Sequence, residues 1–259
     1  MPMTTIDCHT HAGIDVEDLE PWMPYLRRCG VEGIIVLGAV LAHGYDPTVA
    51  QVREINDHTA RLVARYPGFC GGLCFLNPTH EAGVCVEELE RCRALGFLGA
   101  KLEVSAFACD PRLDPIMRRL EAAGLPLLHH CWNTRSMGRM SEPGCHQTDP
   151  DDLALLAARH PRVTIIAAHL KAIGVRGVRA LCEYPNVVFD TSGAQPVSGI
   201  IEEAVRLAGA ERVLFGSDVM FPTGRDVAVQ KACIEAARIP ERAKRRILGA
   251  NARRVFRWP

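Results

Sequence analysis

Gly33-Ile34-Ile35-Val36-Leu37-Gly38 is apolar throughout and closed by glycine at both ends. A strand with one face in water alternates apolar and polar residues, so an unbroken run of this kind is that of a parallel strand covered on both faces. Parallel neighbours need crossover connections, and the flanking sequence supplies them. Upstream, Ile6-Asp7-Cys8-His9-Thr10-His11-Ala12-Gly13 reads as a first strand, followed by a helix over Glu17 to Cys29. Downstream, Val49, Val52, Ile55, Leu62 and Val63 recur at helical spacing in a helix that runs from Asp46, with Pro47 at its first position, to Tyr66. The alternation then continues. Strands are expected at Cys70 to Phe75, Leu98 to Glu103, Leu125 to His130, Val163 to His169, Asn186 to Ser192 and Arg212 to Asp218. Helices are expected at Glu81 to Leu95, Arg112 to Ala123, Pro150 to His160, Asp226 to Arg238 and Glu241 to Phe256.

Eight strand–helix units in 259 residues, with no linker or low-complexity break, predict one α/β domain over 1–259, a (β/α)8 TIM barrel. The rival is an open doubly wound sheet. It loses support because His-Thr-His-Ala-Gly stands after the first strand where a glycine-rich dinucleotide fingerprint would, and no phosphate-cradling loop motif occurs elsewhere.

Composition narrows the partners. Thirty basic residues balance 30 acidic ones, so no basic field exists to attract nucleic acid or anionic lipid. No apolar run is long enough to cross a bilayer, and the N-terminal Met-Pro-Met-Thr-Thr lacks the pattern of a secretion signal, which gives a cytoplasmic protein as the expectation. Eleven cysteines without any Cys-x-x-Cys are read as small buried hydrophobes, with Cys131, beside His130, the one placed to reach a site.

Polar residues interrupt the apolar strands at their C-terminal ends: His9 and His11 on the first, Lys101 and Glu103 on the fourth, His129 and His130 on the fifth, His169 on the sixth and Asp218 on the eighth. That rim is where barrel enzymes build their sites. Residues two apart in a strand share a face, so His9 and His11 can share one cation. By the same alternation only one of His129 and His130 looks into the barrel. Imidazoles plus a carboxylate suit a borderline divalent ion such as zinc, with a position left open for water.

His9-x-His11, His130 in His-Cys-Trp-Asn, His169 in Ala-Ala-His-Leu, Gly216-Ser-Asp218 and Asn251-Ala-Arg-Arg-Val-Phe256 together resemble the amidohydrolase superfamily. More narrowly they are similar to the branch that holds aminocarboxymuconate-semialdehyde decarboxylase, resorcylate-type decarboxylases and several lactone or amide hydrolases. The resemblance implies His9, His11, His130 and Asp218 as metal ligands, Asp218 also as the group that takes a proton from bound water, and His169 as a general acid or base. The branch often shows Lys-x-His on the fourth strand, where this chain has Lys101-Leu102-Glu103. Three readings of that departure stay open: a second metal held by His169 with Glu103 or with a carbamylated Lys101, a Lys101–Glu103 salt bridge below a single metal, or a pair that binds substrate.

Hydrolysis of an amide, lactone or ester by a metal-activated water is the expected reaction, with non-oxidative decarboxylation of an aromatic or muconate-type acid as the alternative. Trp132, Asn133, Arg135, Arg139, Met137 and Met140 on the loop after the fifth strand, and Met220 and Arg225 after the eighth, are candidates for the substrate pocket, the arginines for gripping a carboxylate. His43, His58, His80 and His160 are expected to be structural or exposed. A small-molecule substrate is the expected partner, and barrels of this branch are often dimers.

Overall fold

A computed structural model of the chain describes residues 4–138, 142–193, 197–222 and 225–258, the side chains of Ser136 and Met137 excepted. The described residues form ten parallel strand segments, most of them separated by helices: β1 (Thr5–Ala12), β2 (Val31–Val36), β3 (Cys70–Gly72), β4 (Cys74–Leu76), β5 (Ala100–Leu102), β6 (Leu127–His129), β7 (Ile165–Ala167), β8 (Val187–Asp190), β9 (Val213–Leu214) and β10 (Val219–Phe221). They pair in the order β10-β1-β2-β3 and β4-β5-β6-β7-β8-β9. The two runs are one ring. Only Leu73 separates β3 from β4, and its amide bonds the Val36 carbonyl at 3.0 Å. At the other junction the Thr191 amide bonds Leu214, the Cys8 amide bonds Phe215 and the Asp218 amide bonds His9. The cylinder closes as a (β/α)8 barrel, as the apolar runs imply.

Its interior is packed. Ile6, Ile35, Leu73, Leu128, Ile166, Val188 and Leu214 form one buried cluster, completed at the N-terminal mouth by Ala252 and Phe256. In that layer the fourth strand position contributes Lys101, which pairs in register with Leu128, itself in register with Ile166. Lys101 is fully buried. Trp258 lies across the same mouth, and a Cβ at Gly33 or Gly71 would come within 2.8 or 2.6 Å of its ring, which is why two strands carry glycine there. A second, larger core fills the space between strands and helices, with Ile34, Val36, Leu127, Val187 and Phe189 on its sheet side.

Local chemistry moves several boundaries. The helix read from Asp46 begins at Val49 because Thr48 caps it, its hydroxyl accepting from Gln51 while the Gln51 side chain returns to the Thr48 amide, so Pro47 stays outside. The first helix shrinks to Met23–Arg28, with Pro24 in its first turn. The closing stretch Glu241 to Phe256 breaks into Glu241–Arg245, a π turn at Arg246–Ala250 and Asn251–Phe256. Helices Leu170–Leu181 and Ile200–Ala208, not marked by the periodicity above, cover the sixth and seventh strand positions. Among the described residues, no helix is long and apolar enough to cross a membrane. All eleven cysteines are free thiols, and Cys131 is buried in the outer core, away from the site it was expected to reach.

Candidate active site and cation centre

The C-terminal mouth of the barrel opens into a cavity of about 630 Å³. One wall is apolar, with Ile14, Val40, Leu41 and Met220; the other carries His9, His11, Glu103, His130, His169, Asp218 and Arg225, with Trp132 beside them.

β1 delivers its two imidazoles through a bulge. Asp7 is in register with Ile34 and Thr10 with Val36, three residues set against two, so Cys8 packs into the interior cluster while His9 and His11 both reach the cavity. Each ring is fixed from behind. His9 Nδ1 donates to Asp190 Oδ2 at 2.7 Å, and His11 Nδ1 donates to the Gly38 carbonyl at 2.9 Å. With both Nδ1 atoms carrying the proton, the Nε2 atoms meet as bare lone pairs 3.2 Å apart. Asp218 Oδ1 stands 3.4 Å from each. Three electron-pair donors facing one another in a buried site repel unless a cation lies among them. A divalent ion about 2.0–2.2 Å from each of three donors sets them about 3.0–3.6 Å apart, so the triangle fits. Among the described residues these three are the group placed to hold a metal.

His130 lies outside the triangle, contrary to the ligand set implied by the resemblance. Its Nδ1 is held by Glu103 Oε1 at 3.0 Å and lies 3.2 Å from His169 Nε2, while its Nε2 is buried without a partner. Glu103, which replaces the histidine of Lys-x-His, is therefore what turns this ring. Glu103 is in turn paired with Lys101 at 2.8 Å. Of the three readings of that strand, the salt bridge is the one the geometry shows, and Lys101 lies below the cavity rather than on its wall. His129 faces the other way, as alternation required, with Nδ1 donating to the His130 carbonyl.

His169 and Asp218 share an unusual backbone: φ is 64° at His169 and 59° at Asp218, the left-handed region that non-glycine residues seldom adopt. Such outliers persist where the surroundings impose them, and both here aim a polar side chain into the mouth. Asp218 Oδ2 is engaged by Arg225 and lies 3.6 Å from His169 Nδ1. Trp132 lines the cavity, its ring near parallel to His130. Two other candidates point away. Asn133 accepts from Arg176 at 2.9 Å, and Arg135 is exposed on Asp151 at 2.5 Å, so neither lines the cavity. Arg139 and Met140 lie outside the described residues, as does the side chain of Met137. His58, His80 and His160 bond Val16, Asn77 and Asp114 respectively, and His43 pairs with Glu54.

Sequence reasoning missed Asp190 and Ser192. Asp190 Oδ1 accepts from the Ser192 hydroxyl and amide and from the His169 amide, while Oδ2 holds His9. The signal was present: Asp190 ends an apolar strand at the same rim that marked His169 and Asp218.

The electrostatics follow from burial. Burial, then Lys101, pushes His11 down to about 4. His9 is driven well below its usual value by burial, then Lys101, and His169 by burial, then His130. Burial alone would raise Glu103, but Lys101 and His130 outweigh it and hold the carboxyl well below the usual range. These histidines are neutral at pH 7, the state a cation requires.

The same depressions fix a pH dependence. Unfolding frees His9, His11, His129 and His169 to protonate near 6.5, whereas in the fold His11 and His129 wait until about 4. The unfolded chain binds more protons between those limits, so stability falls as pH drops from about 6.5 to 4. Asp7, held up to about 7 by burial, opposes this with a single proton. The melting temperature of the metal-free chain is expected to fall by about 10 °C or more from pH 7 to pH 4.5, and a flat calorimetric profile over that range would refute the assignment.

The amidohydrolase family model matches residues 6–258. The chain belongs to the amidohydrolase family. Among curated proteins, no sequence matches the chain. Its fold is similar to that of a 5-carboxyvanillate decarboxylase from Sphingomonas paucimobilis, with 19% identity over 99% of this chain and 100% of that one and a TM-score of 0.77. A 2,6-dihydroxybenzoate decarboxylase from Rhizobium shares 20% identity over 98% and 99% of the two chains, TM-score 0.77. A dihydroxybenzoic acid decarboxylase from Polaromonas with bound manganese shares 19% over 98% and 97%, TM-score 0.74. At these identities the likeness establishes the shared fold.

Proposed function

We propose that this amidohydrolase is a divalent-metal-dependent, non-oxidative decarboxylase of a small aromatic acid. The observation that carries the reading is the cavity itself: an apolar wall sized for a substituted benzene ring faces the His9–His11–Asp218 triangle, with Arg225 at its edge. The decarboxylase relatives support this reading over the hydrolysis expected from the sequence, and the manganese-bound relative makes manganese a candidate ion beside zinc.

His9, His11 and Asp218 would hold the ion, which when bound supplies positive charge for an oxygen of the substrate and for the electron density that builds on the ring. Ile14, Val40 and Leu41 pack against the ring face and exclude water. Arg225 moves from Asp218 to a substrate oxygen as the acid enters. Asp218, relieved of Arg225, takes up a proton from solvent on Oδ2 and passes it to the ring carbon that bears the carboxylate, while Oδ1 would stay with the ion. The bond from that carbon to the carboxylate breaks, its electron pair returns to the ring, and carbon dioxide leaves. His169, held neutral by burial, then by His130, takes no part as a cationic acid.

The test is a panel of hydroxylated benzoates and carboxylated phenols against lactones and N-acyl amides, each with manganese or zinc, read by carbon dioxide release and by acid release. Carbon dioxide from an aromatic acid, with no acid from the lactones or amides, is the expected result. Acid release alone would return the assignment to a hydrolase.

A further inference from the structure

We propose that Ser192 is a positioning residue that fixes which nitrogen of His169 carries the proton. One buried chain of contacts links these groups. Ser192 is fully buried, its hydroxyl lies on Asp190 Oδ1 and, at 3.0 Å, on His169 Nδ1. The hydroxyl has one proton for two neighbours. If it went to His169, the Ser192 oxygen and the Asp190 carboxylate oxygen would be in close contact with no hydrogen between them. A bond to an ionised carboxylate is also about twice as strong as one to a neutral nitrogen. The proton therefore stays on the Asp190 side, and Ser192 can only accept from His169 Nδ1–H.

The far end of the chain reaches the same answer independently. His130 Nδ1 lies 3.0 Å from the Glu103 carboxylate, which requires the hydrogen on that nitrogen, and the same nitrogen faces His169 Nε2 at 3.2 Å. His169 Nε2 is thus a lone pair. Asp190 also binds His9 Nδ1, so one carboxylate orients a candidate metal ligand directly and His169 through Ser192. His9, His11 and His169 then all present Nε2 as an electron pair, beside His130 Nε2, which is buried and without a protein partner. These three nitrogens receive a cation or a proton, and the proton donor of the wall is Asp218.

The consequence for turnover rests on the proposed decarboxylation, but the tautomer does not, so the two can fail separately. The full chain, labelled with 15N-histidine, is examined by long-range proton–nitrogen NMR with and without zinc, His169 being assigned from a His169→Gln spectrum. His169 is expected as the single Nδ1–H tautomer. Ser192→Ala is expected to give a mixture of tautomers and to lower kcat about 10- to 100-fold with KM little changed, and Ser192→Thr to restore both. The inference is overturned by a wild-type His169 protonated on Nε2, or by a Ser192→Ala chain that keeps the single tautomer and full kcat. A defined tautomer in a protein that releases no carbon dioxide would sink the reaction and leave Ser192's role standing.

Discussion

Asp218→Asn is expected to abolish all but about one part in a thousand of the turnover while leaving the barrel folded. The side chain keeps its volume and remains on the rim, so packing is undisturbed. What goes is the ionisable oxygen pair: Oδ1 faces the two Nε2 atoms of β1, and Oδ2 is the atom shared with Arg225 and nearest His169. A positioned proton carrier contributes about 10²–10⁴-fold, and the amide cannot serve as one. Arg225 is released in the variant and free to hold a substrate carboxylate, so KM is expected to change far less than kcat. Steady-state kinetics with an aromatic acid identified from the panel, together with a melting curve, checks this. A variant within tenfold of wild-type kcat would remove Asp218 from the chemistry.

The second large effect falls on the cation. Replacing His9 and His11 together by alanine removes two of the three donors of the triangle, and a lone Asp218 already engaged by Arg225 cannot retain a borderline ion. Loss of metal binding by about 10³-fold or more is expected, and activity with it. The same change also has a structural cost, because the Asp190 carboxylate is fully buried and loses its His9 partner. His11→Ala alone leaves that pair intact and separates the two consequences: it is expected to weaken the ion with little change in melting temperature of the metal-free chain.

The barrel was legible because apolar runs bounded by glycine, separated by helical periodicity, have few other solutions. The strand-end rule found most of the polar wall for the same reason: a histidine or carboxylate that closes an apolar strand has nowhere to go but the rim. What the sequence concealed was geometry that depends on partners far along the chain. The β1 bulge brings Cys8 inward together with the histidine pair, and no pattern in Ile6 to Gly13 announces it. Lys101 reads as a rim residue, yet register with Leu128 places it one layer down inside the cylinder. Asn133 as a pocket residue and Arg135 as a carboxylate contact were plausible until Arg176 and Asp151, from neighbouring elements, claimed them. His130 was drawn toward Glu103 because of a substitution whose consequence only the assembled strands reveal. The choice between hydrolysis and decarboxylation was not in the motifs, since both reactions use the same donors.

On the proposed function, His9, His11 and Asp218 form a cation site at the mouth of the barrel. The site is tested most directly by titrating the metal-stripped chain with manganese and with zinc in a calorimeter, alongside the His9→Ala/His11→Ala chain. One ion per wild-type chain, with no binding to the double variant, is the result expected. Wild-type protein that takes up neither ion, or a double variant that binds one as tightly as wild type, would contradict the account.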